Sequence, residues 1–553
     1  MKKKFIIVDI NRKKKSCSIA KYGIESNCEV LSLSAYSSYL LDASLIEYKT
    51  FHDYVLEEKY LSQILSLYEE VLCLFENSPS FCFLFYELSL LMTKFKYFEC
   101  LRSIITEYKD KGCEVCLFSD AKNNNSYLNN DSFFSSLFDS CIFIGEDDSF
   151  FYGKNKIKSI NSLIGYKNIN KFFTKLIAPH DFEHYKYGNL NIKENIKKSG
   201  VFKYKINEDM FTLKYHELTA QYENLMLQAE KIFGSNDTYG SIYHDVVSII
   251  SKAVPEKIKF ENNSIYPFTY IHKEIDYQEI LRHKVKGLPV VISQHGSYVD
   301  DKSLQLTFSE IFPADINLVC NKYTKEYFEN QGAKSVHIVG NILFDSGVEE
   351  KKIKYDYLYL VYCSGYSSDA GCVLGLEYVS PQNYSDVFKR HQSVIKLFGE
   401  KYSNKTLCIK IKSSIVLGGA YVPFIELAKK YKNIHIEFIK PIEKLISESD
   451  RVISDYYSSN FISRDIHIKK DVILFNATPY SIPNNIKTDF EKMFTIIDGV
   501  SELDYVVSNI DDVSNSRVRD IKIIEKYSSP IVSESMLNDA LKSAYSDFFN
   551  SND

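Results

Sequence analysis

The stretch SDRVISDYYSS, residues 449–459, has the pattern of a buried strand that brings polar side chains to its carboxyl end. Its apolar centre is followed by the acidic residue Asp455 and then by the hydroxyl pair Ser458 and Ser459. A helix is predicted to begin here, and the N–H groups of its first turn can bind a phosphate together with the two hydroxyls. Since a serine in this position also caps a helix, the pattern predicts a phosphate site, a helix cap, or both.

Other short apolar runs lie on either side of this stretch and alternate with longer segments of helical periodicity. Such alternation predicts an α/β fold with mostly parallel strands, and this half of the chain is predicted to form a Rossmann-like unit. Helical patterns at 384–398 and 422–431 separate most of the strands. The predicted strands are 357–362, 406–411, 434–438, 451–454 and 472–475.

The first half of the chain has the same α/β character. Short apolar runs predict strands at 5–8 and 114–118. Apolar residues repeat every three or four positions at 88–108 and 211–233, which indicates two long amphipathic helices. Between them, residues 150–210 show poor periodicity and are interpreted as an insertion or an acceptor-facing subregion.

A second polar motif, QHGS at 294–297, follows a predicted strand at 288–293. A strand that ends in His-Gly places an imidazole at the carboxyl edge of the sheet, where open α/β sheets bind their ligands. Gly296 permits close approach of the backbone, and His295 can act as a base near neutral pH. For this motif alone, an ordinary histidine in a capped turn is the alternative interpretation.

A third motif, CSGYSS at 363–368, is a Ser/Gly loop that follows the predicted strand 357–362. Backbone N–H groups and hydroxyls in such loops can donate hydrogen bonds to phosphate oxygens. An ordinary surface loop is the alternative. The predicted phosphate-binding residues of this loop are Ser364, Gly365, Ser367 and Ser368.

The order of these motifs resembles that of the bacterial surface-polysaccharide GT-B transferases. It is similar in particular to the CDP-glycerol glycerophosphotransferase and the capsule or lipopolysaccharide Kdo-transferase-like group. The resemblance covers about 285–480 and depends on GLP followed by QHG, on VGN followed by FD at 339–345, and on the stretch 449–459. The preceding 280 residues match only in their α/β character.

The resemblance implies a GT-B fold, in which two Rossmann-like lobes face each other across a cleft. It also implies that the donor nucleotide binds to the C-terminal lobe and the acceptor to the N-terminal lobe. By position, His295 matches the group's His-Gly histidine, a base or acceptor-orienting residue, and Ser458 and Ser459 match paired serines near the donor phosphates, with Asp455 just before them. Such enzymes generally need no bound metal for the transfer, so no metal and no other cofactor is expected.

The sequence departs from the group's pattern at two positions. The group has a Lys followed by a His-Pro pair that contacts the donor phosphate, where this chain has KIKSS at 410–414. Lys412, Ser413 and Ser414 are predicted to bind phosphate there instead. The pattern Gly-Asn-Pro-Arg-Phe-Asp is replaced by GNILFD at 340–345, which lacks the basic residue.

The resemblance and the polar stretch near 346–354 together predict the domain organisation. Residues 1–345 are expected to form an acceptor-side Rossmann-like lobe with insertions. Residues 346–525 are expected to form the lobe that binds the nucleotide donor. Residues 526–553 are predicted to contain a helix that returns to the first lobe.

These observations predict a metal-independent glycosyltransferase of bacterial surface-glycan assembly, acting on capsule, lipopolysaccharide or a similar polymer. It would transfer a sugar from a nucleotide-activated donor, with a CMP-sugar favoured, to a glycan or lipid-linked glycan acceptor. Two alternatives stay open. One is a CDP-polyol phosphotransferase of the teichoic-acid type, and the other is a catalytically silent GT-B-like subunit that binds a nucleotide or a glycan.

Composition bounds the class of protein. The chain has 553 residues and a formal net charge of −5, so no overall basic field attracts nucleic acid, and no nucleic-acid partner is expected. No apolar run reaches the ~18 residues of a membrane span, and the 12 scattered cysteines do not form a disulfide framework. The expected location is the cytoplasm, with peripheral association at the inner face of the membrane as the other possibility.

Overall fold

Within the residues that it describes, the computed structural model contains three parallel β-sheets with flanking helices and one short antiparallel strand pair. The α/β class predicted from the sequence is therefore confirmed. The described residues are 3–9, 28–33, 37, 40–42, 44–50, 53–54, 69–119, 141–144, 186–187, 190–191, 208–234, 240–258, 267–268, 274–294, 310–340, 352–361, 381–411, 425, 427–455, 457, 470–476, 482–509, 520–528 and 534–550.

The first sheet has five parallel strands in the order β3-β2-β1-β4-β5. Its central strands are apolar on both faces, as expected for parallel strands covered by helices. The strands are β1 (Lys4–Asp9), β2 (Glu29–Ser32), β3 (Lys49–Thr50), β4 (Glu114–Ser119) and β5 (Ile142–Ile144). The antiparallel pair that follows along the chain is β6 (Lys186–Tyr187) and β7 (Leu190–Asn191).

The second sheet has four parallel strands in the order β11-β10-β9-β8. Its strands are β8 (Pro267–Phe268), β9 (Val291–Ser293), β10 (Ile316–Val319) and β11 (Val336–Ile338). The longer helices of this half include α1 (Phe85–Asp110), α2 (Glu208–Ala229), α3 (Gly240–Ser251), α4 (Glu274–Val285) and α5 (Lys322–Asn330).

Helix α1 belongs to the cores beside both of these sheets. Leu101 and Ile104, in its second half, pack with Phe5 of β1. In its first half, Leu88 belongs to a cluster that also contains Ile292 of β9. Because one 26-residue helix contributes to both clusters, the first two sheets are joined through a single continuous helix.

The third sheet has six parallel strands in the order β14-β13-β12-β15-β16-β17. Its strands are β12 (Tyr355–Val361), β13 (Leu407–Ile411), β14 (Ile434–Glu437), β15 (Ser449–Ser454), β16 (Asp471–Phe475) and β17 (Thr495–Ile497). Its helices are α6 (Pro381–Lys396), α7 (Ile442–Ser447), α8 (Asn484–Met493), α9 (Val500–Ser508) and α10 (Ile521–Tyr527). The five strands predicted in this region are confirmed, with ends that differ by one or two residues.

Helices cover both faces of the third sheet. On one face, Tyr359 of β12 packs with Val394 and Phe398 from α6 and the turn after it. On the other face, Leu360 packs with Leu445 of α7 and Phe490 of α8. Successive residues of one strand therefore pack into cores on opposite faces of the sheet, which defines a doubly wound, three-layer arrangement.

Helix α5, which packs beside the second sheet, contacts helix α10, which packs beside the third. Asn321 caps α5 by accepting a hydrogen bond from the Thr324 N–H (2.8 Å), and its Nδ2 donates to the backbone oxygen of Tyr527 (3.1 Å). The rings of Tyr323 and Tyr527 lie 5.1 Å apart, and the Tyr527 hydroxyl donates to Asp489. The end of α10 is thus fixed between a helix of each sheet.

The last helix of the chain, α11 (Glu534–Asn550), returns to β11 of the second sheet. Its Leu537 and Leu541 are fully buried. The predicted link at 346–354 lies mostly outside the described residues, and the domain boundaries stay predictions. Among the helices of the described segments, none combines the length and the apolar character that crossing a membrane requires.

Candidate functional site at the carboxyl edge of the third sheet

The third sheet has a topological switch point between β12 and β15. Chain order runs from β12 outward through β13 to β14 on one side and from β15 through β16 to β17 on the other. At such a point the connections that leave the two central strands diverge to opposite faces, which opens a crevice at their carboxyl ends. Open parallel sheets bind their ligands in this crevice, so the crevice is the candidate functional site.

A buried histidine–aspartate pair lies at this switch point. Asp455 directly follows β15, and its backbone N–H donates to the Leu360 oxygen of β12. Its Oδ2 lies 2.9 Å from Nε2 of His391, which helix α6 contributes. Asp455 is 0% exposed and His391 is 1% exposed. A polar pair buried this deeply must be held by good hydrogen bonds, because its desolvation is costly.

Two aromatic rings and a cation lie near this pair. The edge of the Tyr359 ring contacts the His391 ring, with 5.6 Å between centroids. The guanidinium of Arg390, a residue that is 9% exposed, lies 5.4 Å from the centre of the Phe475 ring at the end of β16. Helix α6 therefore carries an imidazole and a guanidinium over the carboxyl ends of β12, β15 and β16.

Burial determines the protonation of His391. It lowers the imidazole pKa below its ordinary value of 6.5, and the positive charge of Arg390 acts in the same direction. The hydrogen bond to Asp455 and the charge of that carboxylate oppose the shift but do not overcome it. Near pH 7 the imidazole is therefore neutral and donates its Nε2 proton to the carboxylate, which fixes its tautomer.

A buried lysine lies at the same edge on the opposite face of the sheet. Lys410 pairs in register with Leu360, is 8% exposed, and donates from Nζ to the Phe438 oxygen at 2.7 Å. Burial lowers the pKa of its ammonium group, although the Glu437 carboxylate works against this shift. Lys410 precedes the predicted phosphate-binding segment 412–414 by two residues. The strand therefore brings positive charge to the edge where a donor phosphate is expected.

In the second sheet, Gln294 follows β9 and precedes the predicted functional histidine. Gln294 is buried, its N–H donates to the Leu318 oxygen, and its Oε1 accepts from the Cys320 N–H at 2.9 Å. These bonds tie the end of β9 to the end of β10. Gly340, just after β11, has a φ of 90°, a left-handed conformation that favours glycine.

Most of the residues predicted to form the site lie outside the described residues. Asp455 is the one predicted site residue that the structure describes, and it is placed at the switch point, as expected for the end of β15. Its buried carboxylate is bonded to His391, so a direct contact between Asp455 and a donor stays a prediction. The others are His295, Ser364, Gly365, Ser367, Ser368, Lys412, Ser413, Ser414, Ser458 and Ser459.

The reasoning from sequence missed His391 and Arg390, although a signal was present. His391 precedes the buried residues Val394, Ile395 and Phe398 by three, four and seven positions. It therefore lies on the apolar stripe of α6, where a polar residue requires a partner. Its partner, Asp455, is 64 residues away along the chain and could be identified only from the fold.

Within the described ranges, no group of three or more His, Cys, Asp or Glu side chains could hold a metal ion. The chemistry of the described part of the edge is therefore that of an imidazole, a carboxylate, a guanidinium and an ammonium group.

No protein-family model matches this chain, and no curated protein does. Among solved structures, a pneumococcal O-GlcNAc transferase, GtfA, solved with UDP and GlcNAc, aligns with 49% of this chain and 54% of its own at 10% identity and a TM-score of 0.31. The matched part is therefore about half of that protein's length. MnaA of S. aureus with UDP aligns with 51% of this chain and 74% of its own at 12% identity and a TM-score of 0.32.

MurG of Acinetobacter baumannii aligns over more of the molecule. It covers 80% of this chain and 95% of its own at 12% identity and a TM-score of 0.27. Because each TM-score lies below 0.5, the site is interpreted from the chain's own residues.

Proposed function

We propose that this protein is a glycosyltransferase of bacterial surface-glycan assembly that uses a nucleotide-activated sugar, with a CMP-sugar favoured. The single observation that carries the proposal is the buried His391–Asp455 pair at the switch point of the six-stranded sheet. The pair lies where doubly wound sheets bind nucleotides, and the sequence continues directly from it into Tyr456, Tyr457, Ser458 and Ser459.

The proposed donor site is the carboxyl edge of the third sheet. Its phosphates would be held by hydroxyl and N–H donors of the segments 364–368, 412–414 and 458–459, each of which follows one of its strands or lies just beyond it. Loops that follow neighbouring parallel strands commonly build anion sites in α/β folds in this way. Lys410 adds a nearby positive charge from the described part of the edge.

In the proposed reaction, an acceptor hydroxyl attacks the anomeric carbon of the donor sugar. The new bond joins the acceptor oxygen to that carbon, and the bond from the carbon to the donor's phosphate oxygen breaks. The nucleotide leaves with the electron pair, and the phosphate-binding segments stabilise the negative charge that develops on it. His295 accepts the proton of the acceptor hydroxyl.

We propose further that the fold is of the GT-B type, with the carboxyl ends of the second and third sheets facing each other across the donor–acceptor cleft. The contact of α5 with α10 and the return of α11 to β11 support this arrangement. On this proposal His295, which follows β9, would face the donor segments from the other side of the cleft.

Calorimetric titration of the purified full chain with CMP, CDP, UDP and GDP tests the proposal. Tightest binding of CMP, followed by release of CMP from a CMP-sugar in the presence of an acceptor glycan, is the expected result. Tightest binding of CDP-linked polyols with transfer of polyol phosphate would replace it with the teichoic-acid type of reaction. Absence of binding to all four nucleotides would overturn it and leave a subunit without donor chemistry.

A further inference from the structure

We propose that His391 is a positioning residue of the proposed donor site, acting through Asp455 on the segment that begins at Ser458. The inference depends on the proposed function, since it assigns a role within the same site. It starts from an observation that the resemblance did not supply, namely that helix α6 donates a buried hydrogen bond to the residue after β15.

The chain is held on both faces of the sheet immediately before the two serines. Asp455 lies on the face covered by α6, where His391 binds its carboxylate. Two residues later, Tyr457 is buried in the core on the opposite face, together with Leu445 and Phe490. Asp455 and Tyr457 are therefore fixed on opposite faces of the sheet, directly ahead of Ser458 and Ser459 in the sequence.

The burial of His391 assigns it to positioning and not to proton transfer with a substrate. The side chain is 2% exposed, and its Nε2 is engaged by Asp455. A catalytic base must come within hydrogen-bond distance of the proton that it accepts, and an imidazole enclosed by Tyr359 and Asp455 does not reach the surface of the edge. Its neutral Nε2–H can, however, fix one orientation of the carboxylate.

If His391 positions the site, removing its side chain should lower the nucleotide affinity of the folded protein as well as its stability. Partners that orient a ligand-binding residue from behind typically change affinity or activity by about 10–100-fold when they are removed, as measured at metal sites. A pair that only stabilised the core would change the melting temperature and leave the nucleotide affinity of the folded molecules unchanged. The two roles therefore differ in a measurable way.

The test is a double-mutant cycle on the full chain, with His391→Met, Asp455→Ala and the double variant, read out both as CMP dissociation constants and as free energies of unfolding. Methionine fills an irregular cavity without a hydrogen-bond donor. His391→Gln retains an N–H donor, and His435→Gln is the matched control, because His435 is an exposed residue of β14 in the same sheet.

We expect His391→Met to weaken CMP binding by roughly 10–100-fold, His391→Gln to recover most of this loss, and His435→Gln to bind like the wild type. The double variant should bind no worse than the weaker single variant, because both changes remove the same interaction. If His391→Met is too unstable to purify, a folded Asp455→Ala variant that binds CMP as tightly as the wild type would overturn the inference, because it removes the same hydrogen bond.

The outcomes separate this inference from the proposed function. Wild-type protein that binds none of the four nucleotides overturns the proposed function and the positioning role with it. Wild-type protein that binds CMP, beside a folded His391→Met variant with unchanged affinity, overturns only the positioning role and leaves a donor site that the pair does not support.

Discussion

The five-stranded and six-stranded sheets both place their first strand in the middle, with the strands numbered outward on each side, but their polar clusters lie at opposite ends of the strands. In the first sheet, the Lys3 ammonium contacts Glu29 at the start of β2, and the Tyr108 hydroxyl donates to the same carboxylate at 2.5 Å. These groups precede β1 and β4 or begin β2, so they lie at the amino edge. In the third sheet, His391 and Asp455 lie at the carboxyl edge.

In folds of this kind, the edge of the sheet at which a polar cluster lies distinguishes a structural network from a candidate binding site. Loops at the carboxyl ends of parallel strands form the ligand crevice, whereas the amino ends only connect helices back to strands. The Tyr108 network closes the turn between α1 and β4, and the ring of Tyr108 stacks on Phe5 at 3.7 Å. The Tyr108 network lies at the amino edge and packs the fold, whereas the His391 pair lies at the edge where open parallel sheets bind ligands.

The largest expected effect concerns His295, which follows β9 of the second sheet in the sequence. His295→Ala should lower turnover by roughly 10²–10⁴-fold, the range for a lost general base, with CMP affinity little changed. The measurement is steady-state kinetics with a CMP-sugar beside calorimetric titration with CMP. His295→Gln keeps a hydrogen-bond donor but cannot accept the proton, so near-normal turnover of that variant would reduce His295 to an orienting residue.

A second prediction concerns the amino edge. Tyr108→Phe removes a hydroxyl that bonds to Glu29 and lies 3.1 Å from the Tyr54 hydroxyl. Losing the bond to the partly exposed Glu29 carboxylate and the contact with the buried Tyr54 hydroxyl should cost about 1–3 kcal/mol of unfolding free energy, measured by urea denaturation. Nucleotide affinity should not change. Tyr505→Phe is the control, because Tyr505 is 67% exposed. A Tyr108→Phe variant with impaired CMP binding would contradict the assignment of the amino-edge network to packing alone.

The sequence predicted the third sheet well because its strands are continuous apolar runs separated by clear helical patterns. β17 was not predicted, since the three residues Thr495–Ile497 are too short for periodicity to identify. The order of the strands could not be predicted either, because register and neighbours depend on contacts between distant segments. For the same reason Asp455 was predicted as a site residue while His391, its partner, was not.

A third prediction uses pH to distinguish the two clusters. The pKa of His391 is lowered from 6.5 by burial, so the unfolded chain takes up a proton that the folded chain does not as pH falls below about 6.5. The stability contributed by the neutral imidazole is therefore present above that pH and declines as pH falls toward the folded-state pKa. Asp455 and Arg390 are the charged groups that face it.

Glu29 should act in a lower pH range. Its pKa is lowered from 4.5, first by the hydrogen bond from Lys3 and then by that from Tyr108, so its contribution is present above about 4.5 and declines as pH falls through the folded-state pKa. Melting curves should show that His391→Gln flattens the pH dependence between 7.5 and 5.5, whereas Tyr108→Phe alters it only below 4.5. The same pH dependence in both variants would contradict these assignments.

The smallest expected effect tests whether the carboxyl edge of the third sheet binds phosphate at all. Ser459→Ala removes one hydroxyl from the segment that follows the His391–Asp455 pair. A lost neutral hydrogen bond should weaken CMP binding by about 0.5–1.5 kcal/mol, and a lost bond to a charged phosphate by up to ~3 kcal/mol. Calorimetry gives the affinity, and thermal melting gives the stability of the same sample.

Because a serine at the start of a helix can also serve as its cap, worth about 0.5–2 kcal/mol of stability, the two measurements must be read together. A variant that melts at the wild-type temperature but binds CMP more weakly supports the donor site. A variant that melts early with unchanged affinity shows that Ser459 is only a cap. In that case the phosphate contacts would have to come from the segments 364–368 and 412–414, and the role proposed for His391 would lose its target.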